Sequence, residues 1–317
     1  MLEAIAEHAV RVNRYPDMAA VGLREVLAER VGLDVDAVAV GAGSVSVLQQ
    51  VLTAFCEAGD EVVFALRSFE AYPILTTLAG AGAVRVPLLA DERHDLAGML
   101  AAITDRTRVV LLCSPNNPTG TALTSAEVSD FLARVPSGVL VVLDEAYLEY
   151  TDDPLGRASL ALLADHPNLC LLRTLSKAWG LAGLGVGYAL AHPPVAEALR
   201  RTAVPFGVSS LAQVAAVAAL GAADEMAARA ARVVAERARV TAALRAAGWQ
   251  VPDSDANFVW LRADGQRFAT LMAAFDEADI LVRGFAEDGI RITLADPATN
   301  DRVLAVLADR SRFEDPR

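Results

Sequence analysis

Residues 168–188 read NLCLLRTLSKAWGLAGLGVGY. The first six are an apolar run of strand length. The chain then turns polar at Thr174, Ser176 and Lys177 and becomes glycine-rich, which is how a buried strand ends in a functional loop. Of the 28 basic residues, Lys177 is the one lysine and the other 27 are arginine. Arginine replaces lysine wherever positive charge suffices, but it forms no imine with a carbonyl, whereas deprotonated lysine does. Lys177 is therefore a candidate for chemistry; the alternative is chance in an arginine-biased composition.

Working outward, similar Val-rich runs recur at residues 37–40, 61–66, 83–86, 108–113 and 138–143. Helical stretches separate most of them, for example 45–57 and 125–134. Strands alternating with helices predict a mostly parallel α/β sheet sandwiched by helices. Ligands of such sheets sit off the carboxyl ends of the strands. Polar residues fall there: Gly43 and Ser44, residues 114–120, Asp144 and Tyr147, and Thr174 to Lys177. Residues 208–247 read as one or two long Ala/Arg-rich helices. Short strands near 257–261, 280–283 and 289–294 and a helix near 300–309 predict a smaller α+β unit. The expected division is an N-terminal segment 1–18, a large domain 19–195 and a small domain 196–317.

Hydrophobic residues make up 54% of the chain, enough for a substantial core, and the net charge is −12. That balance argues against nucleic acid, which needs basic surface. No apolar run is long enough to span a bilayer. The acidic, amphipathic start does not resemble a signal peptide, so a cytoplasmic location is expected. Cys56, Cys113 and Cys170 sit in apolar contexts and read as buried small hydrophobes. The four histidines show no metal-ligand spacing. Gly41-Ala42-Gly43 begins like a dinucleotide fingerprint, but Ser46 stands where the third glycine belongs.

Four stretches occur in order: SPNNPTG (114–120), VVLDEAY (141–147), RTLSKAWGLAGLGVGY (173–188), and ANFVW (256–260) with GIRIT (289–293). Together they resemble the fold-type I pyridoxal-5′-phosphate (PLP) aminotransferases of the histidinol-phosphate aminotransferase group. RSFEAYPI (67–74), VPFGVSS (204–210) and LVRGFAEDGIRIT (281–293) resemble the actinobacterial aromatic amino acid (phenylalanine) aminotransferases in particular. The resemblance runs from about Ala4 to the last helix. It implies PLP as cofactor and Lys177 as the Schiff-base lysine and proton carrier. Asp144 would face the pyridine nitrogen, Asn117 and Tyr147 the ring oxygen, and Phe69 would stack on the ring. The amides of Ser44 and Val45 at a helix N-terminus, with the hydroxyls of Thr174 and Ser176, would hold the phosphate. Tyr15 would reach that phosphate from the partner subunit, which implies a homodimer with shared active sites. Arg291 would grip the substrate α-carboxylate, with Arg283 nearby and Asn257 supporting. The implied reaction moves the amino group of an aromatic L-amino acid to 2-oxoglutarate. Histidinol-phosphate aminotransferase and a catalytically impaired relative are the alternatives.

Two departures stand out. Relatives read LAGLR after the lysine, and that arginine binds the phosphate; here Gly185 takes its place. Losing a charge-assisted contact costs about 1.5–3 kcal/mol of binding unless another side chain, such as Arg173, supplies it. Also, the segment that precedes the match in relatives, with an SNENP-like stretch, is absent from this sequence. A misplaced start or a truncation is expected.

Overall fold

The computed structural model describes residues 1–151 and 155–313. A seven-stranded sheet is built from β1 (Val38–Gly41), β2 (Glu61–Leu66), β3 (Gly82–Pro87), β4 (Thr107–Cys113), β5 (Leu140–Asp144), β6 (Leu169–Thr174) and β7 (Gly187–Ala191). Their order across the sheet is β1-β7-β6-β5-β4-β2-β3. All pairings are parallel except those of β7, which runs antiparallel to β1 and β6. The helices before and among these strands are α1 (Leu2–Ala9), α2 (Val21–Val31), α3 (Ser44–Phe55), α4 (Ala71–Leu78), α5 (Leu96–Ala101), α6 (Ser125–Leu132) and α7 (Leu155–Asp165). After β7 come α8 (Pro193–Arg201), α9 (Ser210–Leu220) and α10 (Ala223–Ala246). A second sheet, ordered β8-β10-β9, combines β8 (Phe258–Arg262), β9 (Arg283–Phe285) and β10 (Gly289–Thr293), all antiparallel. It packs with α11 (Gly265–Glu277) and α12 (Pro297–Leu307).

Local chemistry explains these elements. β5 and β6 are buried along their whole length, and a strand covered on both faces has no reason to alternate. α6 opens on a capping box in which Thr124 and Glu127 satisfy each other's backbone amides. Asp296 caps α12, with Pro297 at its first position. Buried residues form one cluster on each face of the large sheet and a third around Trp249, Leu271, Phe275 and Ile290. α9 and the first half of α10 belong to the large sheet: Ala212, Ala216, Met226 and Ala230 sit in its core cluster. Val240 and Leu244, further along α10, belong to the small one. Between them, the buried Arg237 donates to Tyr150 O and Ala256 O, each at 2.9 Å.

The expected long helical region is two helices, bent by 79° at the break. The strand expected at 280–283 lies instead at Arg283–Phe285, so only its last residue is in register with the expectation. β7 was not anticipated: its five residues, GYALA, follow a glycine-rich loop and have no periodicity of their own. No single helix among the described residues is long and apolar enough to cross a membrane; the bent pair α9–α10 passes only when its two halves are joined.

Candidate active site

Parallel pairing of β4, β5 and β6 brings their carboxyl ends to one edge, and the polar residues follow. Ser114 N donates to Asp144 O at 3.0 Å, which ties the loop after β4 to the end of β5. That loop turns back on itself through Gly120 N to Asn116 O at 2.7 Å, which presents Asn117. After β6, Leu175 N donates to Val186 O and Leu181 N to Leu175 O, pinning both ends of the loop that carries Lys177. Arg173 and Glu145 form a buried pair at 2.7 Å that joins the ends of β5 and β6. Arg173 also donates to Ser159 Oγ and Gly156 O, so it does not reach the cavity.

The N-terminus of α3 faces the same edge. No side chain caps it, and the first-turn amides of a helix lack intrahelical partners. Its position depends on glycine. A Cβ on Gly187 would meet Ser44 N at 2.2 Å and Gly43 C at 2.3 Å, so only a bare backbone lets β7 pass this close. Gly43 itself has φ +84°, a left-handed conformation that other residues rarely adopt.

The resulting cavity has a volume of about 250 Å³. Ser44, Val45, Phe69, Asn117, Asp144, Tyr147, Thr174, Ser176 and Lys177 all line it, joined by Gly43, Cys113 and Gly185. Lys177 Nζ lies 5.6 Å from the centre of the Tyr147 ring. Burial, and next the Arg291 guanidinium, pull the Lys177 ammonium below its ordinary range, against the opposing pull of Asp144. Burial pushes the Asp144 carboxyl up to about 6, although Tyr72 Oη donates to its Oδ2 at 2.8 Å and Ala146 N to its Oδ1 at 3.2 Å. Burial likewise lifts the Tyr147 phenol and pushes the Cys113 thiol up to about 12, so the latter is a neutral wall. A larger cavity, about 650 Å³, lies elsewhere, between residues 90–93 and the Trp249–Trp260 region. It holds none of these groups.

Three other expected residues lie on or beside the small sheet, outside the cavity lining. Arg291, on β10, donates to Asn117 Oδ1 at 2.5 Å, and its buried Nε has no partner. Arg283, on β9, is engaged by Glu70 at 2.9 Å. Asn257 precedes β8, and its carbonyl accepts from Leu294 N at 2.9 Å. None of the three lines the cavity; Arg291 meets it through Asn117, which does. Tyr15 does not reach it either: it is 85% exposed, with its ring 4.9 Å from Phe206.

Tyr72 is the residue that sequence reading missed. It lies three positions after Phe69, at the start of α4, and is fully buried beneath that ring at 5.7 Å between centres. Its place in RSFEAYPI, three residues after Phe69, is the only signal the sequence offers for it.

The site fits a flat, anionic aldehyde cofactor on this structure's own terms. An uncapped helix end and the Ser176 hydroxyl suit a phosphate, the Thr174 hydroxyl here donating to Val186 O at 3.2 Å, and Phe69 offers a face. A buried carboxyl with a raised pKa calls for a cation opposite it, and the lone lysine opens on the same cavity.

The family model described as "Aminotransferase class I and II" matches residues 1–307. The aromatic amino acid aminotransferase of Streptomyces avermitilis is 54% identical over 314 residues, which cover 99% of this chain and 87% of that protein. The corresponding protein of Thermobifida fusca is 53% identical, covering 96% and 84%. Among solved structures, the histidinol-phosphate aminotransferase of Sinorhizobium meliloti in complex with pyridoxal-5′-phosphate superposes with a TM-score of 0.86 at 31% identity, covering 97% of this chain and 85% of that one. The chain belongs to the class I and II aminotransferases.

Proposed function

We propose that this chain is a PLP-dependent aminotransferase that moves the amino group of an aromatic L-amino acid to 2-oxoglutarate. The observation that carries the reading is the single cavity in which Lys177 faces Asp144, Asn117 and Tyr147 beside Arg291. The 54% identity to an aromatic amino acid aminotransferase favours that substrate class over histidinol phosphate, whose enzyme is matched at 31%.

Each side chain then has a task. PLP, when bound, supplies an electron sink for the pair left at the substrate's Cα. Lys177 is the anchoring amine and, once displaced by substrate, the base and acid that moves the Cα proton; its lowered pKa leaves it free to accept one. Asp144 is the anion opposite the pyridine nitrogen. Asn117 and Tyr147 hold the ring oxygen, and Phe69 supports the ring. Ser44 and Val45 amides, with Thr174 and Ser176, hold the phosphate end. Arg291 binds the α-carboxylate, using a fork whose Nε is unpartnered in this structure. Asn257 supports that grip from the start of β8.

We further assign a homodimer. Tyr15, Val10, Val12, Met18 and Val204 leave an apolar face open to solvent. The resemblance implies that the partner's Tyr15 completes the phosphate end, and the exposure of Tyr15 leaves it open to such a contact. We take residues 19–195 as the core of the cofactor-binding unit and 1–18 as the segment that meets the partner; of the expected small unit 196–317, α9 and the first half of α10 pack on the large sheet, and the part from Val240 onward packs around the small sheet. The three free, buried cysteines suit a reducing cytoplasm.

Borohydride reduction of the PLP-saturated protein, followed by peptide mapping, should label Lys177; an unlabelled Lys177 would sink the assignment. A donor panel of phenylalanine, tyrosine, histidinol phosphate and aspartate with 2-oxoglutarate should favour the aromatic donors. Preference for histidinol phosphate would overturn the substrate class alone.

A further inference from the structure

Two short turns carry residues that face each other in the cavity. Tyr150 N donates to Tyr147 O at 3.0 Å and closes one turn; Gly180 N donates to Lys177 O at 3.0 Å and closes the other. Each turn opens on a cavity residue, Tyr147 or Lys177, and Lys177 Nζ lies 5.6 Å from the centre of the Tyr147 ring. The third residues of the two turns meet outside the cavity lining: Trp179 Nε1 donates to Glu149 Oε1 at 2.8 Å. Trp179 is buried, and the Arg30 guanidinium lies over its ring at 4.8 Å. Glu149 Oε2 is buried without a partner among the described residues, so Trp179 is the partner that fixes this carboxyl. The sheet does not set the spacing of the turns by itself. Backbone pairing between β5 and β6 ends at Asp144 and Leu172, with one further bond from Glu145 N to Leu172 O at 2.8 Å. The Arg173–Glu145 pair ties the next residues. Tyr147 and Lys177 lie beyond these ties, on loops, where side chains must fix one turn against the other.

We propose that Glu149 and Trp179 are positioning residues: their hydrogen bond sets the distance between the turn that presents the Lys177 amine and the turn that presents the Tyr147 phenol. This rests on the reading of Lys177 as the amine that takes the cofactor and of Tyr147 as a contact to its ring oxygen. Each acts through the residue two places earlier in the chain. An amine that moves a proton works within a narrow geometry, and a misplacement of about 1 Å caused from outside the reacting centre costs about a hundredfold in rate. An ionised and a protonated carboxyl both offer an acceptor oxygen to an indole N–H. The tie therefore depends on that oxygen and its place, not on charge.

Trp179→Phe removes the donor and keeps a ring beside Arg30. Glu149→Leu removes the acceptor, and Glu149→Gln keeps an acceptor oxygen. Two readouts are taken on each protein. One is the rate at which the cofactor-free chain captures PLP on Lys177, trapped by borohydride. The other is kcat and KM for phenylalanine, per bound PLP. Trp179→Phe and Glu149→Leu should each slow capture and lower kcat by about tenfold to a hundredfold, with KM changed by less than about threefold. Glu149→Gln should stay close to the unaltered protein in both. The Trp179→Phe/Glu149→Leu double variant should be no worse than either single one, since both break the same bond. A merely structural role lowers the melting temperature and leaves capture and kcat unchanged, and that result would overturn the proposal. Additive losses in the double variant, or a loss in Glu149→Gln equal to that in Glu149→Leu, would do the same. If Glu149→Leu does not fold, Trp179→Phe against Glu149→Gln decides by the same readouts. If the unaltered chain captures no PLP on Lys177, the functional reading falls and the proposal with it. If it captures PLP but phenylalanine is a poor donor, the substrate class alone falls, and the capture rates still decide the role of the pair.

Discussion

Tyr72→Phe removes one oxygen atom from beneath the site and leaves the ring that packs against Phe64 and Phe69. That oxygen donates one of the two hydrogen bonds seen on the Asp144 carboxylate. A bond to a charged group contributes about 1.5–3 kcal/mol, and one pH unit of proton affinity is worth about 1.4 kcal/mol. Without it, Asp144 should hold its proton to about one to two pH units higher. In the unaltered chain the carboxyl is already pushed up to about 6 by burial. Near neutrality the substitution therefore moves Asp144 from mostly ionised to largely protonated, and the anion proposed to face the pyridine nitrogen is lost.

The assay is cofactor binding to the cofactor-free protein between pH 5 and 9, followed by absorbance. Affinity should fall as pH drops through about 6 in the unaltered protein, and at a midpoint about one to two pH units higher in Tyr72→Phe. Stability gives a second readout with a defined sign. A carboxyl whose folded value is raised binds protons better folded than unfolded, so the cofactor-free chain loses stability as pH rises from the ordinary 3.8 to about 6. The substitution should extend that loss to higher pH. Superimposable binding profiles for the two proteins, with intact melts, would refute the reasoning.

Other outcomes follow from Arg291 and the phosphate end. Arg291→Lys keeps the charge but loses the planar fork, and should raise KM for both amino acid and keto acid by about tenfold; unchanged kinetics with both substrates would remove Arg291 from the carboxylate site. Gly185→Arg should tighten PLP binding. Arg173 is locked on Glu145 and no arginine lines the cavity among the described residues. A Cβ at Gly185 meets nothing closer than 3.7 Å, although φ +62° costs about 1–2 kcal/mol for any other residue. That strain is present with and without cofactor and so lowers stability, whereas a new charged contact adds about 1.5–3 kcal/mol to binding; an equal or weaker dissociation constant would show that the cup lacks nothing.

The cavity residues were legible because a parallel sheet delivers strand ends to one place. Once residues 108–113, 138–143 and 168–173 read as neighbouring strands, Asn117, Asp144 and Lys177 had to converge. β7 was not legible, since its strand character comes from pairing with β1 and β6 and not from its own five residues. Tyr72 was quoted within a motif and passed over, because a buried tyrosine reads as core until its hydroxyl is seen to have a destination. The partner of Arg283 lies 213 positions away in Glu70. Only the assembled fold brings these two together, so no local pattern announces them. Gly185 shows the opposite case: the departure was plain in the sequence, and its consequence depends on where Arg173 is committed.

Arg237 carries a consequence for motion. Its guanidinium bridges Tyr150 O, three residues beyond Tyr147, and Ala256 O, one residue before Asn257. Arg237 also pairs with Asp255 at 3.5 Å, and losing either carbonyl contact would cost a buried hydrogen bond, so one side chain ties the two loops together. With the substrate carboxylate on Arg291, as proposed, a shift of the small sheet would be passed through Arg237 to the loop that carries Tyr147. The proposed grips on the substrate and on the ring oxygen would then be coupled through a side chain anchored on α10.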